Sequence, residues 1–225
     1  TLPEIFNHTL GKRFTRYAER SIPESWIARL PNGKVYGKDT NLIMSSGNLL
    51  STDLSREFGA YGGKPVSEGD LFTRKLHYGR SEHLKGTTAV ITTKGHANFH
   101  HWNYDCLPRL QMLREAGLLD QVDRFLIRHQ GQRFQLESLA RMGLPLDRIH
   151  ALPEEDMLIT SDVLLVPSLP SVLGTVSPWV TDFLAGLYDP DGAETSGYER
   201  IFLSRKKVTT RQIVNQAEFK ALLEE

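Results

Sequence analysis

The chain has 225 residues, with 27 Lys and Arg balanced by 27 Asp and Glu, and 40% of it is hydrophobic. This excludes disorder, collagen-like repeats and a disulfide scaffold, and provides enough core for one large domain or somewhat more. Zero net charge removes the long-range drive toward nucleic acid or an anionic membrane, and the only cysteine, Cys106, excludes an internal disulfide and a cysteine-rich zinc site.

From residue 26 to 53 short β-type runs alternate with turn residues. Trp26-Ile27-Ala28, Lys34-Val35-Tyr36, Leu42-Ile43-Met44 and Asn48-Leu49-Leu50 are separated by Pro31-Asn32-Gly33 and Ser46-Gly47, which predicts a hairpin-rich antiparallel lead-in. Residues 54–86 are rich in glycine and read as a connection, so 1–86 is taken as a β-rich N-terminal region packed on the first domain. At Thr87 the pattern changes. Strands are predicted at 88–93, 124–127, 148–151 and 161–166, and helices at 98–116, 132–142 and 177–188. This alternation predicts a parallel α/β sheet domain over 87–188. Residues 189–198 read as a linker. One more strand at 200–204 and a helix from 216 read as the start of a second domain, 199–225.

The densest cluster of polar chemistry is Asn98-Phe99-His100-His101-Trp102-Asn103-Tyr104-Asp105-Cys106-Leu107-Pro108-Arg109-Leu110. On a helix, Phe99, Trp102, Cys106, Leu110 and Leu113 share one face, and His101, Asp105 and Arg109 share another edge. Asn98, after Gly95, is a good N-cap, placing this helix start beyond the carboxyl end of a strand, where open α/β sheets bind ligands. Pro108 predicts a second helical piece. The His101–Asp105 relation survives that break, whereas the relation to Arg109 is open. Asp105, or His101 oriented by it, can act as a general base on a hydroxyl. The competing reading is a solvated ladder worth a few tenths of a kcal/mol. Phe99 and Trp102 read as core.

A second cluster places Arg200, Arg205, Lys206, Lys207 and Arg211 around one strand-to-helix loop with Ser204, Thr209 and Thr210. Guanidinium forks and a helix N-terminus suit a diphosphate; a solvated basic loop is the alternative. Asn215 and Glu218 have capping-box spacing, and Val214 and Phe219 have staple spacing. Asp189-Pro190-Asp191 formally matches a metal-binding pattern of sugar transferases, but a linker explains it better.

The run NFHHWNYDCLPRL at 98–110 resembles the N-Y-x-H-W-x-x-D-x-L-P-R-L signature of glycosyltransferase family 61. The segment SRKKVTTRQIVNQAEFKALLEE at 204–225 resembles that family's second motif, and residues 28–50 its bacterial β-rich lead-in. Phe99 and Gln216 depart from the usual residues. The resemblance implies a GT-B glycosyltransferase that inverts configuration as it moves a sugar from a nucleotide-sugar donor to a saccharide or other hydroxyl acceptor. It assigns Asp105 and His101 to catalysis, and Ser204, Arg205, Arg211 and Asn215 to the donor diphosphate. Asn98, Trp102, Arg109 and Glu218 complete the motifs. No metal or other cofactor is expected. The family's later donor-site segment has no counterpart here, so the second Rossmann-like domain reads as only begun and the fragment as inactive alone. A non-catalytic carbohydrate- or nucleotide-binding module on the same scaffold is the rival class.

No apolar run approaches the roughly 20 residues that span a bilayer, and the first residues lack a signal-peptide core. Together with the bacterial resemblance this implies a cytoplasmic setting, at or near the inner membrane surface, in surface polysaccharide synthesis. The chain starts at Thr1 and stops in a helical pattern, so both ends read as cuts.

Overall fold

The structure, a computed structural model, describes residues 22, 24–38, 40, 42–47, 50–59, 62–65, 80–170, 176–189, 202 and 213–224. Nine strands are described: β1 (Ile27–Pro31), β2 (Lys34–Tyr36), β3 (Leu42–Met44), β4 (Arg56–Gly59), β5 (Gly62–Pro65), β6 (Ser81–Val90), β7 (Arg124–Ile127), β8 (Ile149–Ala151) and β9 (Leu158–Pro167). The helices are α1 (Leu107–Glu115), α2 (Arg133–Arg141), α3 (Pro178–Tyr188) and α4 (Gln216–Glu224). A helical turn at Phe99–His101 and a π-helical stretch at Trp102–Cys106 lead into α1. The chain falls into two compact units, 1–188 and 189–225.

The first unit is a mixed α/β fold around a seven-stranded sheet of order β3-β2-β9-β6-β7-β8, with β1 also on β9. Strands β9, β6, β7 and β8 are mutually parallel, and the three lead-in strands join them antiparallel. Residues 31–33 make no hairpin. Ile27 pairs with Pro167 and Tyr36 with Leu158 without a register change. The Asn32 N–H donates to the Asp162 carbonyl and the Ser161 N–H to the Gly33 carbonyl. The two runs are therefore one line of pairing along the outer side of β9. Gly33 is required there because a Cβ would meet the Leu164 Cβ at 2.7 Å.

Burial on both faces explains the near-continuous apolar runs of the parallel strands. Ala89, Ile91, Phe125, Ile127 and Leu165 pack under the helices with Trp102, Leu107, Leu110, Leu113, Leu139, Val180 and Leu184. Their neighbours in sequence, Val90, Leu126, Leu164 and Val166, point to the opposite face and join Val35, Ile43 and Ile159.

Strand β6 begins seven residues before its expected start and carries a bulge between Leu84 and Thr87. Gly86 makes the bulge possible with φ +82°, and its N–H donates to the Asp162 carboxylate at 2.7 Å. The next N–H, of Thr87, donates to Asp123 at 2.8 Å. These two carboxylates satisfy amides that the irregular ladder leaves over. In the stretch expected to be a connection, β4 and β5 form a separate antiparallel hairpin.

In the second unit, α4 starts at Gln216 as expected, while the predicted strand at 200–204 lies outside the described residues apart from Phe202. The staple between Val214 and Phe219 is not made: Val214 is fully exposed, and Phe219 packs on Phe202 with ring centroids 5.3 Å apart.

Candidate functional site

From β6 the chain builds outward to β7 and β8, then returns to add β9 on the other side of β6. The order therefore reverses between β6 and β9, and the crevice beyond their carboxyl ends is where α/β sheets take ligands. The segment leaving β6 at this point is Ile91-Thr92-Thr93-Lys94-Gly95-His96-Ala97-Asn98. Gly95 has φ +90°, a conformation that favours glycine, and lies against His101: a Cβ there would approach the imidazole Cδ2 to 2.8 Å. Asn98 caps the helix as its sequence position predicts, its Oδ1 accepting the His100 N–H at 2.8 Å.

Pro108 lacks the N–H that a continuous α-helix needs and crowds the carbonyl four residues back. The chain answers with the π stretch: the Leu107 N–H bonds the Trp102 carbonyl five residues earlier, and Pro108 sits in the first turn of α1, where no donor is required. One extra residue in the turn sets the following side chains back by about 100°. His101, just before the stretch, and Asp105, within it, stay in reach, with Nδ1 and Oδ2 2.7 Å apart. Their side chains are 44% and 24% exposed, so the pair is open to solvent and to a ligand. The bond to Asp105 raises the His101 pKa above the ordinary imidazole value; burial opposes the shift and the carboxylate charge adds to it.

Arg109 is set off this edge and turns inward. It is buried, and its Nε and Nη2 donate to the Pro167 carbonyl at 3.0 and 2.7 Å, while Nη1 donates to the carbonyls of Ile91 and Thr92 at 3.2 Å each. It thus bridges the carboxyl ends of β6 and β9 and is turned away from the edge that carries Asp105. Trp102 is core, as expected, with its indole N–H donating to Ser138 Oγ at 2.8 Å. Phe99 is not: it is 60% exposed and meets Phe134 edge-on. Cys106 is fully buried, and desolvation pushes its thiol up to about 12, excluding a thiolate nucleophile.

Several polar residues at this edge carried no sequence signal. The Thr92 carbonyl also accepts from Thr40 Oγ1 at 2.7 Å, and its own hydroxyl accepts the Arg128 N–H at 2.6 Å. Arg128 is buried and donates to the Lys38 and Pro153 carbonyls. Gln135 is buried and donates to the His96 carbonyl. Asn103, in the π stretch, donates to the Phe99 carbonyl and accepts from the Tyr188 hydroxyl. Buried Thr, Arg and Gln are placed by the carbonyl-rich ends of parallel strands, a demand that appears only once the sheet is assembled.

Of the second cluster, Ser204, Arg205 and Arg211 lie outside the described residues. Asn215 and Glu218 flank the start of α4. The Phe219 N–H donates to the Asn215 carbonyl, and the two side chains touch through Asn215 Nδ2 and Glu218 Oε2 at 3.5 Å. Among the described residues no group of three His, Cys, Asp or Glu side chains could hold a metal ion, and no helix is long and apolar enough to cross a membrane. Comparison with protein-family models, curated proteins and solved structures gives no match.

Proposed function

We propose that the chain contributes the acceptor-activating part of an inverting glycosyltransferase that takes a nucleotide-sugar donor. The observation that carries this reading is the His101–Asp105 pair, hydrogen-bonded at 2.7 Å and accessible, at the carboxyl edge where the strand order reverses. The motif resemblance of residues 98–110 supports it independently. The Asp105 carboxylate accepts the Nδ1–H and fixes the tautomer, so that Nε2 is the basic nitrogen. In the reaction, Nε2 takes the acceptor hydroxyl proton while the acceptor oxygen bonds the anomeric carbon from the face opposite the leaving group. The bond from that carbon to the diphosphate oxygen breaks, and its electron pair leaves with the nucleoside diphosphate. Asp105 stabilises the imidazolium that forms. Arg205 and Arg211, with Ser204 and Asn215, are assigned to the departing diphosphate on charge and motif position. On the same reading no metal is needed, and the acceptor belongs to a bacterial surface polysaccharide.

The test is transfer from a panel of nucleoside-diphosphate sugars. Asp105→Asn is expected to lower turnover by about two to four orders of magnitude, with unchanged thermal stability. Both are measured in the full-length natural protein: undiminished turnover would remove the pair from the chemistry, and donor binding without any transfer there would make this a binding module.

A further inference from the structure

We propose that Arg109 is a positioning residue: it holds the Thr92–Asn98 loop against the helix into which that loop leads, and thereby fixes where His101 stands. The inference deepens the reading of His101–Asp105 as the acceptor-activating pair and rests on it, but its test does not use turnover, so the two can fail separately.

Three contacts carry it, all made by side chains of one continuous helical run onto the loop that precedes it. Arg109 Nη1 bonds the Ile91 and Thr92 carbonyls, where the loop leaves β6. Cys106, three residues back along the helix, sets its buried thiol near the Thr93 backbone, which lowers the thiol pKa against the larger effect of desolvation. His101 lies on Gly95, so close that a Cβ there would be 2.8 Å from the ring. The contacts follow the helix backward as the loop runs forward, closing the loop on its own helix. The far side of the guanidinium is fixed as well, because Nε and Nη2 converge on the Pro167 carbonyl at the end of β9. Arg109 therefore ties β6, β9 and the helix at one point, and the ring of His101 rests on the loop that this point secures. Lysine keeps the charge but has a single nitrogen, which cannot reach the two strand ends in the fork geometry. Without the tie, Gly95 is free to move from the imidazole, and the Nδ1–Oδ2 bond loses its fixed partner geometry.

The experiment is an NMR titration of the His101 imidazole in the wild type and in Arg109→Lys, Cys106→Ala and Leu113→Ala. Leu113 is a fully buried apolar residue of the same helix that cannot hydrogen-bond the loop through its side chain, and its truncation is expected to lower the melting temperature while leaving the Arg109 bonds in place. The expected result is a midpoint that falls toward the free value of about 6.5 in Arg109→Lys and Cys106→Ala and stays at the wild-type position in Leu113→Ala. A wild-type titration in folded Arg109→Lys overturns the proposal. If that variant does not fold, Arg109→Gln, which also lacks the two-sided fork, decides, and a wild-type midpoint there overturns it. An equal fall in Leu113→Ala overturns it too, since the effect would then be general loosening.

Discussion

Gly95 and His101 form a contact that admits no side chain at the glycine: a Cβ would stand 2.8 Å from Cδ2 and 2.9 Å from Cγ of the imidazole. The glycine also holds φ +90°, so two requirements meet at one position. Gly95→Ala is expected to cost about 1–3 kcal/mol of stability from the backbone alone and to push the ring off Asp105. Urea unfolding measures the first effect. The His101 titration measures the second, and an unchanged midpoint would show that the ring does not depend on this contact.

The pair makes stability depend on pH in a definite direction. The folded pKa of His101 is raised, so its contribution is fully present below the unfolded value of about 6.5 and is lost as pH rises through the higher folded value. The imidazole is nearly half exposed, so solvent screening keeps the effect small. Asp105→Asn is expected to bring the His101 midpoint down and flatten this slope. Thermal melts between pH 5 and 9 on both proteins, beside the NMR titration, check it; parallel profiles would refute it.

Cys106 is expected to resist thiol reagents in the native protein. Its side chain is fully buried and its pKa is pushed up to about 12, so thiolate at neutral pH is negligible. Labelling with a maleimide should follow global unfolding in urea, and rapid stoichiometric labelling of the folded protein would contradict the packing around α1.

Donor binding separates the proposed enzyme from a solvated basic loop. Replacing Arg205 or Arg211 by Ala is expected to weaken nucleoside-diphosphate binding by about 1.5–3 kcal/mol, as for hydrogen bonds to charged groups. Lysine should restore only part of this, and Lys206→Ala should matter less. Calorimetry on these variants gives the answer, and equal affinities throughout would leave both arginines as ordinary surface charges.

Local signals were sufficient where one element obeys one rule. The apolar run Arg124–Ile127 is a strand over the residues read from sequence, Asn98 caps its helix, and the four-residue spacing of His101 and Asp105 places them in contact. Signals misled where a tertiary partner decides. Pro31-Asn32-Gly33 does make a local turn, with Asn32 at φ 50° and the Gly33 N–H on the Leu30 carbonyl at 3.2 Å, but the strands on either side pair with β9 instead of with each other. The polar residues Glu82, His83 and Lys85 hide the first half of β6, whose bulge depends on the distant carboxylates Asp123 and Asp162. For Arg109 the sequence leaves two places open, on the edge with Asp105 or off it beyond the Pro108 break, and the second is the one found. Its burial follows from the π stretch that Pro108 causes, together with the carbonyls of Ile91, Thr92 and Pro167, which only the assembled sheet brings to it.

The line formed by β1 and β2 has a consequence for how this protein can be handled. Strand β9 is ten residues long and carries Leu164, Leu165 and Val166 toward its carboxyl end. With β6 on one side only, its other side would present a long row of unpaired amides and carbonyls next to apolar side chains, a template on which another chain can add. Ile27–Tyr36 occupies that row from end to end. A shortened protein beginning near residue 80 would keep every parallel strand and the His101–Asp105 pair, yet it would leave this flank uncovered. Self-association, more than loss of fold, is the fate such a truncation invites.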